Sequence, residues 1–235
     1  MLPDHGAAVL VEPRLPDGDQ WQRLATLYDD LAAAVAASVG GTERTTVVSG
    51  DCLALLGTLA GVQRPGLDPS VIWFDAHGDV HTLASSTSGY LGGMALRMAL
   101  GGDAGMLSAH FGLRPVPESR AVLVDARDLD PPEVEYLSSS AVTHTQVDQL
   151  DAADLPDGPA IVHIDLDVID ASEVPGLRFP VTNGPTTDSV LAAIDRLLAS
   201  DRVAALDIAC PWFEPTDDEQ QERRTALLAR FLALV

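Results

Sequence analysis

No lysine occurs anywhere in these 235 residues: all 14 basic side chains are arginine, set against 35 aspartates and glutamates, for a formal charge of −21. A surface this acidic repels phosphate backbones and anionic lipids, which excludes a nucleic-acid partner and a membrane role. No apolar stretch approaches the ~20 residues of a membrane span. The opening residues, MLPDHGAAVLVEP, lack the basic region and small-residue cleavage site of a secretory leader. Two cysteines, Cys52 and Cys210, are too few for a disulfide scaffold, so a cytoplasmic setting is expected. Aromatic residues are scarce at 5%, and the core must come mostly from Val, Leu, Ala and Ile within a hydrophobic content of 46%. Repeats and low-complexity linkers are missing too. One domain over residues 1–235 is expected, since α/β folds often reach this size undivided. Most of the acidity reads as solvated faces and loops such as EPTDDE at 214–219. A lesser share can concentrate cations, either metal ions or a cationic substrate.

What is present is an alternation of β-branched runs with Ala/Leu-rich segments, the pattern of βα units on a parallel sheet. Strands are expected at 7–13 (AAVLVEP), 45–51, 70–79, 120–130, 141–150, 159–170 and 203–212. Helices are expected at 19–38, around 53–61, at 88–100, from near Pro131, at 189–200 and at 217–235. The residues with chemistry follow the apolar strands, where open parallel sheets bind their ligands.

In VIWFDAHGD (71–79) the side chains of Asp75, His77 and Asp79 alternate, so a strand can project all three to one side. Asp165 and Asp167 repeat the device in HIDLD. Four carboxylates crowded together raise each other's pKa values and take up protons unless cations intervene. One divalent ion would not offset four such charges. Two would, and a pair about 3.5–4 Å apart can activate a single water. Carboxylates with one imidazole suit two Mn²⁺ ions, other divalent metals being alternatives. D-x-H-x-D alone reads as a polar turn or helix cap; beside DLDVID at 165–170 it reads as half of a metal cage.

With those motifs in view, the sequence resembles the ureohydrolase family of arginases and agmatinases. DAHGDVHT (75–82) is similar to the family's D-A-H-x-D-x-x-T, and DLDVID (165–170) to its D-x-D-x-x-D. SGDC (49–52) stands where the family has G-G-D-H, and RDLDPPE (127–133) resembles R-D-V-D-P-x-E. The resemblance runs from about residue 45 to 212. It implies a three-layer α/β/α sandwich around a mainly parallel sheet, assembled as a homo-oligomer. It also implies a metal-bridging hydroxide that cleaves a C–N bond of a guanidino or amidine compound, arginine-like or N-hydroxyarginine-like. Carried across, one metal is held by Cys52, Asp75, Asp79 and Asp165, and the other by Asp75, His77, Asp165 and Asp167. Asp79 also orients the nucleophile, and Asp170 supports the site from behind.

The departures fall on ligation and substrate handling. Cys52 replaces a histidine ligand, a change associated with the N-hydroxyarginine amidinohydrolase branch; its thiolate would be a softer donor, the alternative being a small buried residue. Gly92 stands where the family has a proton-shuttle histidine, His81 where it has a carboxylate-holding asparagine, and Cys210 where a glutamate faces the guanidinium. Ser88 and Asp130 still match positions used for substrate recognition. His81 is a candidate replacement shuttle, or a surface histidine. His5, His110, His144 and His163 lack a motif and read as structural. Cys52 and Cys210 are expected near enough to share a metal or oxidise to a disulfide. Two competing functions stay open: an arginase-like binding or assembly subunit without turnover, and a different C–N or phosphoester hydrolase on the same metals.

Overall fold

The computed structural model describes residues 8–41, 44–103 and 105–235, at Asp154 for the backbone alone. Six strands, β1 (Thr45–Ser49), β2 (Ser70–Asp75), β3 (Ala121–Asp125), β4 (Thr143–Thr145), β5 (Ala160–Asp165) and β6 (Val203–Ala209), form one sheet in the order β1-β6-β5-β2-β3-β4. Every pairing is parallel. Parallel neighbours need crossovers, and α2 (Leu55–Gln63), α3 (Ala95–Ala99), α4 (Pro131–Ser139) and α5 (Thr187–Leu198) lie within them, while α1 (Gln20–Ser38) precedes β1 and α6 (Asp218–Leu232) follows β6.

Alternation along each strand divides the core in two. Val71, Trp73, Leu123, Ile161 and Ala205 pack on the face covered by α1, α2 and α3. Ile72, Phe74, Val122, Val162, Leu206 and Ile208 pack on the face covered by α5 and α6. The result is the expected α/β/α sandwich, with the central strands apolar on both faces. Helix ends follow local chemistry. Asp19 caps α1, Thr186 caps α5 and Asp217 caps α6, each side chain accepting a first-turn N–H. Asp130 opens α4 through a capping box with Glu133.

Two expectations need correction. Residues 8–13 form no strand; Val9 and Leu10 stay 79% and 75% exposed, and the sheet ends at β1. Alternation makes a run able to pair but supplies no partner. The helix expected over 88–100 shrinks to a 3-10 turn at Gly92–Met94 and then α3, because Ser86-Thr-Ser-Gly89 turns the chain first. His5 and Ala7 lie outside the described residues.

Candidate metal centre

The carboxyl ends of β2 and β5 lie side by side, with Phe74 paired to Ile164, so the residues that follow them meet. Cys52 opens a 3-10 turn after β1, held there by Asp51, whose side chain accepts the Leu53 N–H at 2.9 Å. Donor atoms of Cys52, Asp75 and Asp165 gather within 4.8 Å of one another, and so do those of Asp75, His77 and Asp167. The two groups share Asp75. The Cys52 thiol donates to Asp165 Oδ2 at 2.8 Å, while His77 Nδ1 lies 3.3 Å from Asp75 Oδ1 and 3.2 Å from Asp167 Oδ2. Asp79, in the left-handed region at φ 51°, lines the same cavity; its Oδ2 is buried with no hydrogen-bond partner among the described residues.

The cavity has a volume of about 250 Å³ and is lined by seven carboxylic side chains, two histidines and no arginine. Its electrostatics follow from that imbalance. Burial, then the charges of Asp75 and its neighbours, push Asp79 well above the usual carboxylate range. Burial and the charges of Asp167 and Asp75 do the same to Asp165. Burial and Asp75 bring Asp167 up to about 6. Burial opposes the charge on His77, but its hydrogen bonds to Asp167 and Asp75 prevail and raise it to about 12. Asp75 is held below its usual value: burial opposes this, and the contacts with His77 overcome it. Burial and then Asp165 push the Cys52 thiol up. Burial and mutual repulsion thus favour protons on Asp79, Asp165 and Asp167. An orphaned buried oxygen among carboxyls, an imidazole and a thiol fits divalent cations, which would displace those protons.

The rim is organised by α4 and the loop before it. Arg127 pairs with Asp125 and donates to the carbonyls of Asp167 at 3.2 Å and Val168 at 2.9 Å, tying the β3 exit to the Asp165–Asp167 turn. Asp125 and Ala126 both have positive φ, 80° and 48°, a strained corner that leads the chain toward Asp128 and Asp130. Gly78 is needed where it is: a Cβ there would lie 2.8 Å from Glu133 Oε1. Glu133, His81 and Asp130 form a third close group, but both Glu133 oxygens already accept backbone N–H groups, from Val80 and Asp130.

His81 lines the cavity with Nε2 at 3.2 Å from Asp130 Oδ2 and Nδ1 at 3.2 Å from Ser85 Oγ, and Ser88 lies on the same wall. Gly92 has no room for a side chain. A Cβ there would lie 2.5–2.7 Å from the ring and hydroxyl of Tyr90, whose O–H donates to Asp51. Phe179, 40% exposed, stacks at a tilt on Tyr90 with centroids 4.9 Å apart and lines the same cavity. Sequence reasoning missed both rings. Tyr90 stood in view beside Gly92; Phe179 comes from a loop with no motif. Cys210 is not among the lining residues. It borders a different hollow with Trp212 and Arg224, and both cysteines are free thiols. Asp170 also lies elsewhere, accepting from Ser172 and Gly184 to close its own loop.

A model of the Arginase family matches residues 12–235. The N(omega)-hydroxy-L-arginine amidinohydrolase of Streptomyces lavendulae is 32% identical over 233 residues, covering 94% of this chain and 81% of that protein. The arginase of Eremothecium gossypii is 30% identical over 191 residues, covering 74% of this chain and 48% of its own length, so the chain spans about half of that relative. Among solved structures, the arginase of Bacillus caldovelox superposes with a TM-score of 0.78 at 28% identity, over 99% of this chain and 81% of that one. The motif spacing, the parallel sheet and a family match over nearly the whole sequence agree: the chain belongs to the arginase family.

Proposed function

We propose that the protein hydrolyses a C–N bond of a guanidino or amidine compound at a pair of divalent cations, Mn²⁺ foremost. The observation that carries this reading is the sharing of Asp75 by two buried donor groups at the floor of a cavity without a fixed cation. Cys52, Asp75, Asp79 and Asp165 would hold one ion, and Asp75, His77, Asp165 and Asp167 the other. Bound there, the ions would acidify a water and supply the nucleophile. Asp79 has a buried oxygen without a partner that would accept a hydrogen bond from the attacking water and orient it. His81 carries the proton to the leaving amine, with Asp130 fixing its ring by the contact to Nε2.

The acidic lining favours a planar cation, and the Tyr90–Phe179 wall offers it an aromatic face. Ser88 and Asp130 lie on the same lining and would receive the far end of the substrate. We favour an N-hydroxylated guanidine, whose hydroxyl adds a donor and an acceptor for the polar lining. The Streptomyces lavendulae relative supports that choice by its name. Two free thiols fit a reducing cytoplasm, and we assign residues 12–235 to one working domain.

The test is a panel of guanidino and amidine compounds, arginine and N-hydroxyarginine included, assayed with Mn²⁺ for urea-type products. Wild type should bind two equivalents of Mn²⁺ and turn over. His77→Ala should lose at least tenfold in metal affinity and nearly all of the rate. Tight Mn²⁺ binding without turnover on any member would instead make the protein a binding or assembly subunit; activity on amides or phosphates alone would reassign the reaction.

A further inference from the structure

One step below the proposed ligands, a second row of side chains crosses three strands. Trp73 precedes Asp75 by two residues on β2, and His163 precedes Asp165 by two on β5, so each faces the same way as its carboxylate. The register pairs Trp73 with His163 and His163 with Asp207 on β6. The indole and imidazole stack at a 32° tilt with centroids 3.9 Å apart. His163 Nδ1 lies 2.8 Å from Asp207 Oδ1, and Asp207 Oδ2 accepts the hydroxyl of Thr58 from α2. Thr58, Trp73, His163 and Asp207 are all fully buried. The row ends in the site, where Trp73 Nε1 donates to Asp75 Oδ2 at 3.0 Å.

Asp75 is thereby fixed at both oxygens: Oδ1 accepts the His77 backbone N–H at 2.7 Å, and Oδ2 accepts the indole. Packing alone does not explain the row. A buried His–Asp pair carries a desolvation cost that apolar side chains of similar volume would avoid. His163 Nε2 has no hydrogen-bond partner among the described residues, a further cost. What the polar members achieve is to anchor the ring on which the indole rests, and through it the direction of one N–H bond.

We infer that Trp73, seated on the Thr58–Asp207–His163 chain, is a positioning residue for Asp75 and sets the affinity of the site for its ions. This rests on the metal assignment proposed above. Partners that orient a ligand from behind commonly govern metal affinity by ten- to a hundredfold. The geometry puts Trp73 in that place for the carboxylate common to both donor groups.

The decisive variant is Trp73→Phe, which keeps an aromatic ring on His163 and removes the donor. By calorimetric titration with Mn²⁺, its dissociation constant should rise about tenfold or more. The melting temperature of the metal-stripped protein should shift far less than that of Trp73→Ala. A second measurement uses the wild-type protein: the Trp73 indole N–H resonance, assigned with Trp21→Phe and Trp212→Phe, should move in step with Mg²⁺ binding. Affinity within twofold of wild type in Trp73→Phe overturns the inference. If that variant does not fold, an indole resonance unmoved by saturating Mg²⁺ overturns it. The metal reading is tested apart, in wild type and in Asp75→Asn. If wild type takes up no Mn²⁺ that reading falls and takes the inference with it, whereas normal uptake by wild type and Trp73→Phe alike removes the inference alone.

Discussion

Two hollows open near the carboxyl end of the sheet, and they handle charge in opposite ways. The first collects seven carboxyl groups and no arginine, so its charge has no fixed counterpart. The second, about 390 Å³ between β1, the β6 exit and α6, contains Arg224, only 4% exposed, with its N–H groups given to the carbonyls of Pro175, Gly176 and Phe213. Burial lowers the pKa of that guanidinium, and Glu214 partly opposes the effect. In one hollow the buried guanidinium is met by backbone carbonyls, and it works as a joint between two loops and a helix. The other is incomplete as protein alone, and the incompleteness is positively demanding: it calls for cations.

The comparison is sharpest when the first hollow is deprived of them. In metal-stripped protein the folded pKa of Asp167 is raised to about 6, and burial with neighbouring carboxylates also raises those of Asp79 and Asp165. A carboxyl with a raised folded pKa contributes stability that is full below its unfolded value near 4 and lost as pH rises through the folded value. His77, raised to about 12, acts in the same direction above its unfolded value near 6.5. Asp75 has the opposite sign, but its contribution changes only below about 4. Stability in EDTA should therefore fall from pH 4.5 to pH 7.5, by roughly 2 kcal/mol from Asp167 alone. Added Mn²⁺ should restore it at pH 7.5, and its binding should release protons, measurable by titration in buffers of different ionisation enthalpy. A metal-free protein equally stable at both pH values would break the contrast between the hollows.

How far the sequence foretells this arrangement depends on where periodicity holds. Asp75, His77, Asp165 and Asp167 were legible because their motifs follow apolar strands that turn out to be neighbours. β2 ends at Asp75 and β5 at Asp165, however, so it is the turns after the strands, and not strand alternation, that present His77 and Asp167. Alternation does account for Cys210. Asp207 meets His163 and Ala209 packs in that same cluster, so Ile208 and Cys210 belong to the opposite face, with α6. Trp73 and His163 also obey the alternation, but an aromatic ring and a lone histidine inside apolar strands look like filler until the register places them together. Tyr90 and Phe179 follow no period. They come from loops whose paths are set by tertiary contacts such as the Tyr90–Asp51 hydrogen bond. Residues 8–13 show the converse, a period without a partner.

The second hollow should respond to mutation in stability and not in metal binding. Arg224→Met deletes the donors to Pro175 and Phe213, while Gly176 O keeps the Phe213 N–H at 3.0 Å. Losing these two part-buried hydrogen bonds should cost about 2 kcal/mol, read as a lowered urea midpoint. Mn²⁺ stoichiometry should stay at the wild-type value. A metal-binding defect that persists where the variant is fully folded would mean that the joint also shapes the cation site.

The smallest effect belongs to Cys210, and it discriminates most finely between the hollows. Its thiol is pushed up by burial first, then by the charges of Asp165 and Asp207. It lies on the face packed by α6, whereas Cys52 sits in the first cavity against Asp165. Cys210→Ala should therefore leave Mn²⁺ affinity and turnover within about twofold of wild type, at a stability cost near 1 kcal/mol for the lost packing. Cys52→Ala should weaken Mn²⁺ binding by tenfold or more, because it removes a donor from the site rather than a neighbour of it. A tenfold loss in Cys210→Ala would mean that the charge of Asp165 is felt across the sheet strongly enough to make the two hollows one electrostatic unit. The distinction drawn from side-chain alternation on β6 would then fail, even with every strand in its place.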